Sequence, residues 1–155
     1  MTKQLNKKGT SLVELIAVIV IMGIIAGIAI PTTIAVINRQ KKNAAIKSAE
    51  TVVSAAKSVL LEASTGESIG YVDASVAGQY STTAAQLASN SEIEKDPSDT
   101  GCGMTIIYHT PSSGQAYYTV TLEGTGGYKI NGVTLTVKVT TVGDVTTVYD
   151  GFTAS

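Results

Sequence analysis

The sequence predicts an α+β fold: a long N-terminal helix packed by its second half on a C-terminal antiparallel sheet. Three observations carry this. Residues 12–30 read LVELIAVIVIMGIIAGIAI, nineteen positions with one charge. Small and branched apolar residues then recur at helical spacing up to residue 63. The last fifty residues alternate Thr, Tyr and Val with Gly- and Asn-containing turns, the pattern of short strands. At 155 residues the chain has room for one modest domain beside such a helix.

The first element is the apolar run. Nineteen residues at about 1.5 Å each reach about 28 Å, close to the hydrocarbon thickness of a bilayer. A cleaved secretory signal fits poorly, because its apolar stretch is shorter and is followed by a small-x-small site at a polar border. Here the small residues from Ala26 to Ala29 precede Ile30 and Pro31. A buried core helix fits poorly as well, since the rest of the chain offers too little apolar surface to surround it. Glu14 interrupts the run, and a carboxylate at that depth calls for a partner. No Lys or Arg lies between residues 9 and 38, so a cationic partner has to come from a new chain terminus or from another subunit. Gly23 and Gly27 form G-x-x-x-G, which permits close helix approach in lipid. Pro31 lacks an amide donor and kinks or opens a helix.

Charge is separated along the chain. Residues 1–9 hold Lys3, Lys7 and Lys8; residues 39–57 hold Arg39, Lys41, Lys42, Lys47 and Lys57 against Glu50 alone. From Ala63 onward nine acids face three lysines, a net of -6. The acidic head argues against nucleic acid as its partner. The cations of INRQKKNAAIK, residues 37–47, are placed to meet lipid headgroups or acidic partners.

The second helical segment carries Ala45, Ala49, Val52, Ala56, Val59 and Ala63 on one narrow face, widened by Val53 and Leu60, with Lys57 and Glu62 off it. Breakers in STGESIG end it near Ser64–Gly66. A connecting region follows, with a short helix over Thr82–Ser89 and four acids, Glu92, Glu94, Asp96 and Asp99. Their spacing does not match a calcium loop, and a solvated loop is the plainer reading. Strands are expected over Met104–His109, Ala116–Glu123, Tyr128–Ile130, Val133–Thr140 and Val145–Tyr149, with Asn131–Gly132 as a hairpin turn. Val133, Leu135, Val137 and Val139 point one way, giving a single sheet with one apolar face for the helix to cover. Of Tyr117, Tyr118, Tyr128 and Tyr149, at least two are expected to pack in it.

The stretch KKGTSLVELIAVIVIMGIIAGIAIP, Lys7 to Pro31, resembles the N-terminal signature of type IV pilins and pseudopilins. The resemblance covers about 25 of the 155 residues. It implies a leader, Met1–Gly9, removed by a prepilin peptidase so that the mature chain begins at Thr10. The family usually starts with Phe or Met, so Thr10 departs from its pattern. Glu14 falls where the family places the glutamate that pairs with a neighbour's terminal amine, and Gly23, Gly27 and Pro31 where its helix loosens. The implied divisions are 1–9 leader, 10–37 transmembrane and assembly helix, 38–64 amphipathic helix, 65–103 connecting region and 104–155 sheet. The implied function is a structural subunit, a major pilin, of a surface filament. The alternatives are a minor pilin or a pseudopilin of a secretion or DNA-uptake system. Implied partners are other copies in a helical filament, the peptidase, an assembly platform with its ATPases, and the bilayer before assembly. The implied course runs from single-pass cytoplasmic membrane protein to extracellular pilus.

No cofactor and no catalytic residue is expected. Cys102 alone makes no internal disulfide and reads as a small hydrophobe. His109, the one histidine, sits at a strand end with no nucleophile elbow or zinc spacing in the sequence. An anchored hydrolase is the remote alternative.

Overall fold

The computed structural model describes residues 11–155, with side chains for all of them except 29–32. The expected leader, 1–9, therefore lies outside the described residues. The order of elements is α1 (Leu12–Ser64), β1 (Gln79–Thr83), α2 (Ala84–Ser89), β2 (Cys102–His109), β3 (Tyr117–Gly124), β4 (Tyr128–Ile130), β5 (Val133–Val142) and β6 (Val145–Ala154). The fold is the α+β class expected, a long N-terminal helix packed on C-terminal antiparallel strands. The chain divides into two units, Met1–Gln40 and Lys41–Ser155.

Within Lys41–Ser155, α1 buries the stripe its spacing defines. Ala45, Ala49, Val52, Val53, Ala56, Val59, Leu60 and Ala63 are all buried, because positions three and four apart share one helix face. All of these but Ala63 form one core with Leu87, Ile93, Met104, Ile106, Tyr128, Ile130, Leu135 and Phe152. The helix closes where Thr65 N–H and Gly66 N–H donate to the carbonyls of Glu62 and Ala63, at 3.1 and 3.2 Å. Gly66 then leaves with φ +104°, the left-handed exit that glycine allows.

Residues 65–103 contain more structure than a connection. β1 pairs antiparallel with β2, Gln79 opposite His109 and Thr83 opposite Thr105. The short helix begins at Ala84 rather than Thr82, because Thr83 is its cap. Gln86 N–H donates to Thr83 Oγ1 (3.2 Å) and Thr83 N–H donates to Gln86 Oε1 (2.9 Å), a reciprocal capping box. Ala84 and Leu87 are the residues it buries.

The strands make two sheets rather than the one expected, ordered β1-β2-β3 and β4-β5-β6. The division falls at Gly124–Gly127. Gly127 N–H donates to the Gly124 carbonyl (3.1 Å), and a Cβ on Gly124 would stand 2.7 Å from the Gly127 carbonyl oxygen and 2.9 Å from Cys102 Sγ. Only glycine permits that approach, and it turns the chain out of the β3 ladder before β4 begins. A second departure concerns Val139. Val133 and Val137 are half-buried and Leu135 is buried, but Val139 is 50% exposed. The register between β5 and β6 shifts between Lys138 and Val139, and such a shift re-aims the side chains beyond it.

Lys57 joins both sheets to the helix. Instead of lying free of the packed face it is half-buried, its Nζ 5.2 Å from the ring centroid of Tyr118 and 5.3 Å from that of Tyr149. Tyr118 stacks on Tyr108 at 4.6 Å, and Tyr149 meets Phe152 edge-on at 5.2 Å. A row of aromatic rings thus runs from one sheet to the other with an ammonium at its centre, an arrangement favoured by the negative ring faces. Lys57→Ala is expected to destabilise the fold by about 1–2 kcal/mol in urea unfolding, whereas Lys57→Met, which keeps the stem, loses about half of that. No loss in Lys57→Met would show that the charge contributes nothing, and equal losses in the two variants that the stem contributes nothing.

Four tyrosines give the fold an alkaline limit, Tyr118 and Tyr128 raised chiefly by burial alongside Tyr149 and Tyr71. Burial, followed by the charges of Glu50 and Asp150, pushes Tyr149 up to about 12. Burial, then the hydrogen bond to Glu92 and that group's charge, does the same to Tyr71, also to about 12. All four folded values lie above the unfolded value near 10, so the unfolded chain gives up its protons first. Stability is fully present below pH ~10 and is lost as pH rises from there toward ~12. Chemical denaturation across that window, monitored with tyrosinate absorbance, should show the decline, and Tyr71→Phe should make it shallower.

Candidate functional site

Residues 12–28 form a helix surface that is apolar on all sides. Every Leu, Ile, Val and Met there, from Leu12 at 76% to Val18 at 50%, is exposed, and Ile34, Val36 and Ile37 continue the series at 54, 55 and 43%. Together they make one helix long and apolar enough to cross a membrane. An ordinary soluble surface does not carry so large a contiguous apolar area, whereas hydrocarbon or another apolar helix covers it without leaving a backbone group unpaired.

The N-terminal end of this surface is closed by Ser11 and Glu14. Leu15 N–H donates to the Ser11 carbonyl (3.1 Å), the first helical bond, which makes Ser11 the cap residue. Glu14, third in the helix, reaches back so that its Oε2 accepts from Ser11 N–H at 3.1 Å. That is one half of a capping box, and the carboxylate also sits at the positive end of the helix dipole. The chain thus supplies Glu14 with a partner that a search for cations misses. The signal was legible: Ser11-Leu12-Val13-Glu14 is S-x-x-E directly before an apolar run.

The other residues of interest fall as follows. Gly9 and Thr10, the expected cleavage pair, lie outside the described residues, as does the side chain of Pro31; α1 itself runs on past position 31. Gly23 and Gly27 have nothing within 4 Å of where a Cβ would be, so no contact inside the chain requires glycine at either. Lys41, Lys42 and Lys47 are exposed. The one salt bridge among the described residues is Lys138–Asp150, at 2.6 Å.

In the Lys41–Ser155 unit, a groove of about 800 Å³ runs between Ser48–Val52 of α1 and residues 93–100. Two of its acids, Asp96 and Asp99, accept hydrogen bonds. Asp96 Oδ1 accepts from Ser98 N–H (2.9 Å) and Ser98 Oγ (2.7 Å). Asp99 Oδ1 and Oδ2 accept from Asn131 N–H and Gly132 N–H, both at 2.8 Å. Glu92, nearby in sequence, accepts from the Tyr71 hydroxyl at 2.7 Å. Among the described residues no three His, Cys, Asp or Glu side chains are grouped to hold a metal. His109 ends β2, stacked on Tyr117 at 4.6 Å with Nε2 2.9 Å from Thr119 Oγ1, and burial lowers its pKa. Cys102 is half-buried and free, its Sγ 3.8 Å from the Gly127 carbonyl oxygen.

Comparison with protein-family models, with curated proteins and with solved structures returned no match. The architecture itself supports a coarse statement: an apolar N-terminal helix long enough to span a membrane, in a chain with a small antiparallel head.

Because nothing inside the chain contacts Gly23 or Gly27, Gly23→Ala and Gly27→Ala should each raise helix stability by about 0.5–1 kcal/mol in the detergent-solubilised chain. Thermal loss of far-ultraviolet circular dichroism measures this. A drop in helicity would show that the glycines serve the isolated helix after all.

Proposed function

We propose that this chain is a structural subunit, a major pilin, of a type IV pilus-like surface filament. It is cleaved after Gly9 by a prepilin peptidase, held in the cytoplasmic membrane by its N-terminal helix, and then polymerised through that helix into an extracellular fibre. The observation that carries the reading is the helix of residues 12–28, exposed around its whole circumference and interrupted by a single carboxylate, Glu14. In a membrane anchor alone that carboxylate would serve only to cap the helix through Ser11 N–H, and its placement in an apolar setting is costly. A packed array gives it a further use. Where Glu14 of one subunit meets the terminal amine of Thr10 in its neighbour, a misplaced copy leaves the charge unpaired, so the pair selects register more than it adds affinity. The Ser11 bond to Glu14 gives the carboxylate an acceptor role in the lone subunit and lowers the cost of waiting for a partner. Gly23 and Gly27 allow close approach between neighbouring helices. Extension and retraction belong to a separate platform and its ATPases. The head has no role in catalysis on this reading, and its small size suits a repeating component.

The test is made in a pilus-bearing bacterium expressing the chain. Surface filaments should consist mainly of this protein, with Thr10 as their terminal residue. Glu14→Ala should leave cleavage and membrane insertion intact while filaments fall to background. Filaments assembled normally by the Glu14→Ala chain would refute the proposal. Recovery of the wild-type chain only in traces, or only in short envelope-spanning structures, would move it to the minor pilins or pseudopilins.

A further inference from the structure

The Asn131–Gly132 turn carries a chemistry that neither the helix surface nor the core uses. In an Asn-Gly pair the backbone nitrogen of the glycine can attack the side-chain carboxamide of the asparagine, because glycine has no Cβ to obstruct the approach. A bond forms between Gly132 N and Asn131 Cγ, the Cγ–Nδ2 bond breaks, and ammonia leaves carrying the proton lost by Gly132 N. The product is a five-membered succinimide. Water then opens the ring at either carbonyl, leaving aspartate or isoaspartate at position 131. Water is the one co-reactant.

Asp99 holds the atoms of this reaction. Gly132 N–H, the nucleophile in its protonated form, donates to Asp99 Oδ2 at 2.8 Å, and Asn131 N–H donates to Oδ1 at 2.8 Å. Asp99 N–H in turn donates to the Lys129 carbonyl at 2.9 Å, so the clamp has three bonds. A carboxylate at that distance stabilises the N–H and opposes formation of an amide anion beside it. The turn geometry acts in the same direction. Asn131 and Gly132 have φ of +50° and +77°, the pair of positive values of a type I′ turn. Such a turn keeps ψ of its first central residue near about +30°, and Gly132 N stays off the path to its neighbour's Cγ. Burial does not supply the protection, since both residues are exposed.

We propose that Asn131–Gly132 is a latent self-modification site kept closed by Asp99, and that opening the clamp commits the turn to conversion of Asn131 into aspartate or isoaspartate. The change runs one way. It places a new carboxylate beside Asp99, and the isoaspartate form adds a methylene to the backbone of a two-residue turn, so the clamp does not close again. The loop around Asp99 then loses its hold on the β4–β5 hairpin.

The test follows position 131 by peptide mass spectrometry in the purified full chain, kept in mild detergent at neutral pH and body temperature. Asp99→Asn keeps the shape but removes the charge and one acceptor. Lys57→Ala loosens the core without touching the clamp, and urea matches the folded fractions of the two variants. Asp99→Asn is expected to gain the one-dalton product roughly tenfold faster than wild type, the factor by which losing a charge-assisted hydrogen bond favours the open state. Lys57→Ala is expected to stay near the wild-type rate. The proposal is overturned if Asp99→Asn reacts at the wild-type rate, if it reacts more slowly (the carboxylate then serves as base), or if Lys57→Ala reacts equally fast.

Discussion

α1 has to answer to two solvents. Residues 12–28 present Leu, Ile, Val and Met around the full circumference, exposed by half or more, and the second half of α1 presents a single stripe of small residues against strands. The hydrophobic effect acts on both, but it is satisfied inside the chain for only one. The rest of the structure follows from that inequality. The strands exist to cover the stripe from Ala45 to Leu60, and the aromatic row around Lys57 fastens each sheet to it. The circumference from Leu12 onward stays exposed.

How much of this the sequence disclosed depends on how local each cause is. The stripe of α1 was legible residue by residue, because a helix face is a property of spacing alone. The β4–β5 hairpin was legible for a similar reason: Asn131–Gly132 fixes a turn type, and the turn type fixes the pairing of Tyr128 with Leu135. What escaped was decided across distance. Nothing near Gly124 announces that its contact with Gly127 splits the strands into two sheets. The strand QYSTT holds few apolar residues and is defined by its partner β2. Lys57 reads only as a residue off the apolar face of α1, because the rings it lies over are more than sixty residues further along the chain.

The candidate site shows the same division. Glu14 stood out at once, since a lone charge in an apolar run is conspicuous in any sequence. Its acceptor role toward Ser11 N–H was encoded three residues away, yet attention to charge partners concealed a backbone partner. Asp99 shows the opposite error. Placed among Glu92, Glu94 and Asp96 it read as one of several solvated acids, whereas its carboxylate is spent on two amides 32 and 33 residues distant. In both cases the acid serves as an acceptor for N–H groups, the commonest use of a carboxylate that has no cation at hand.

Three of the residues that α1 contributes to the core shared with the strands, Ala45, Ala49 and Ala56, end in a single methyl group. Small side chains at such positions let a helix lie closer to the elements packed on it than larger ones would. Loops such as 111–116 can lengthen or change composition without altering that separation. One methylene added at Ala49 or Ala56, both wholly buried, has no free space to occupy and must push strands outward. If copies of the head stand side by side, that separation is the same in each, and the exposed faces can diversify while it stays constant.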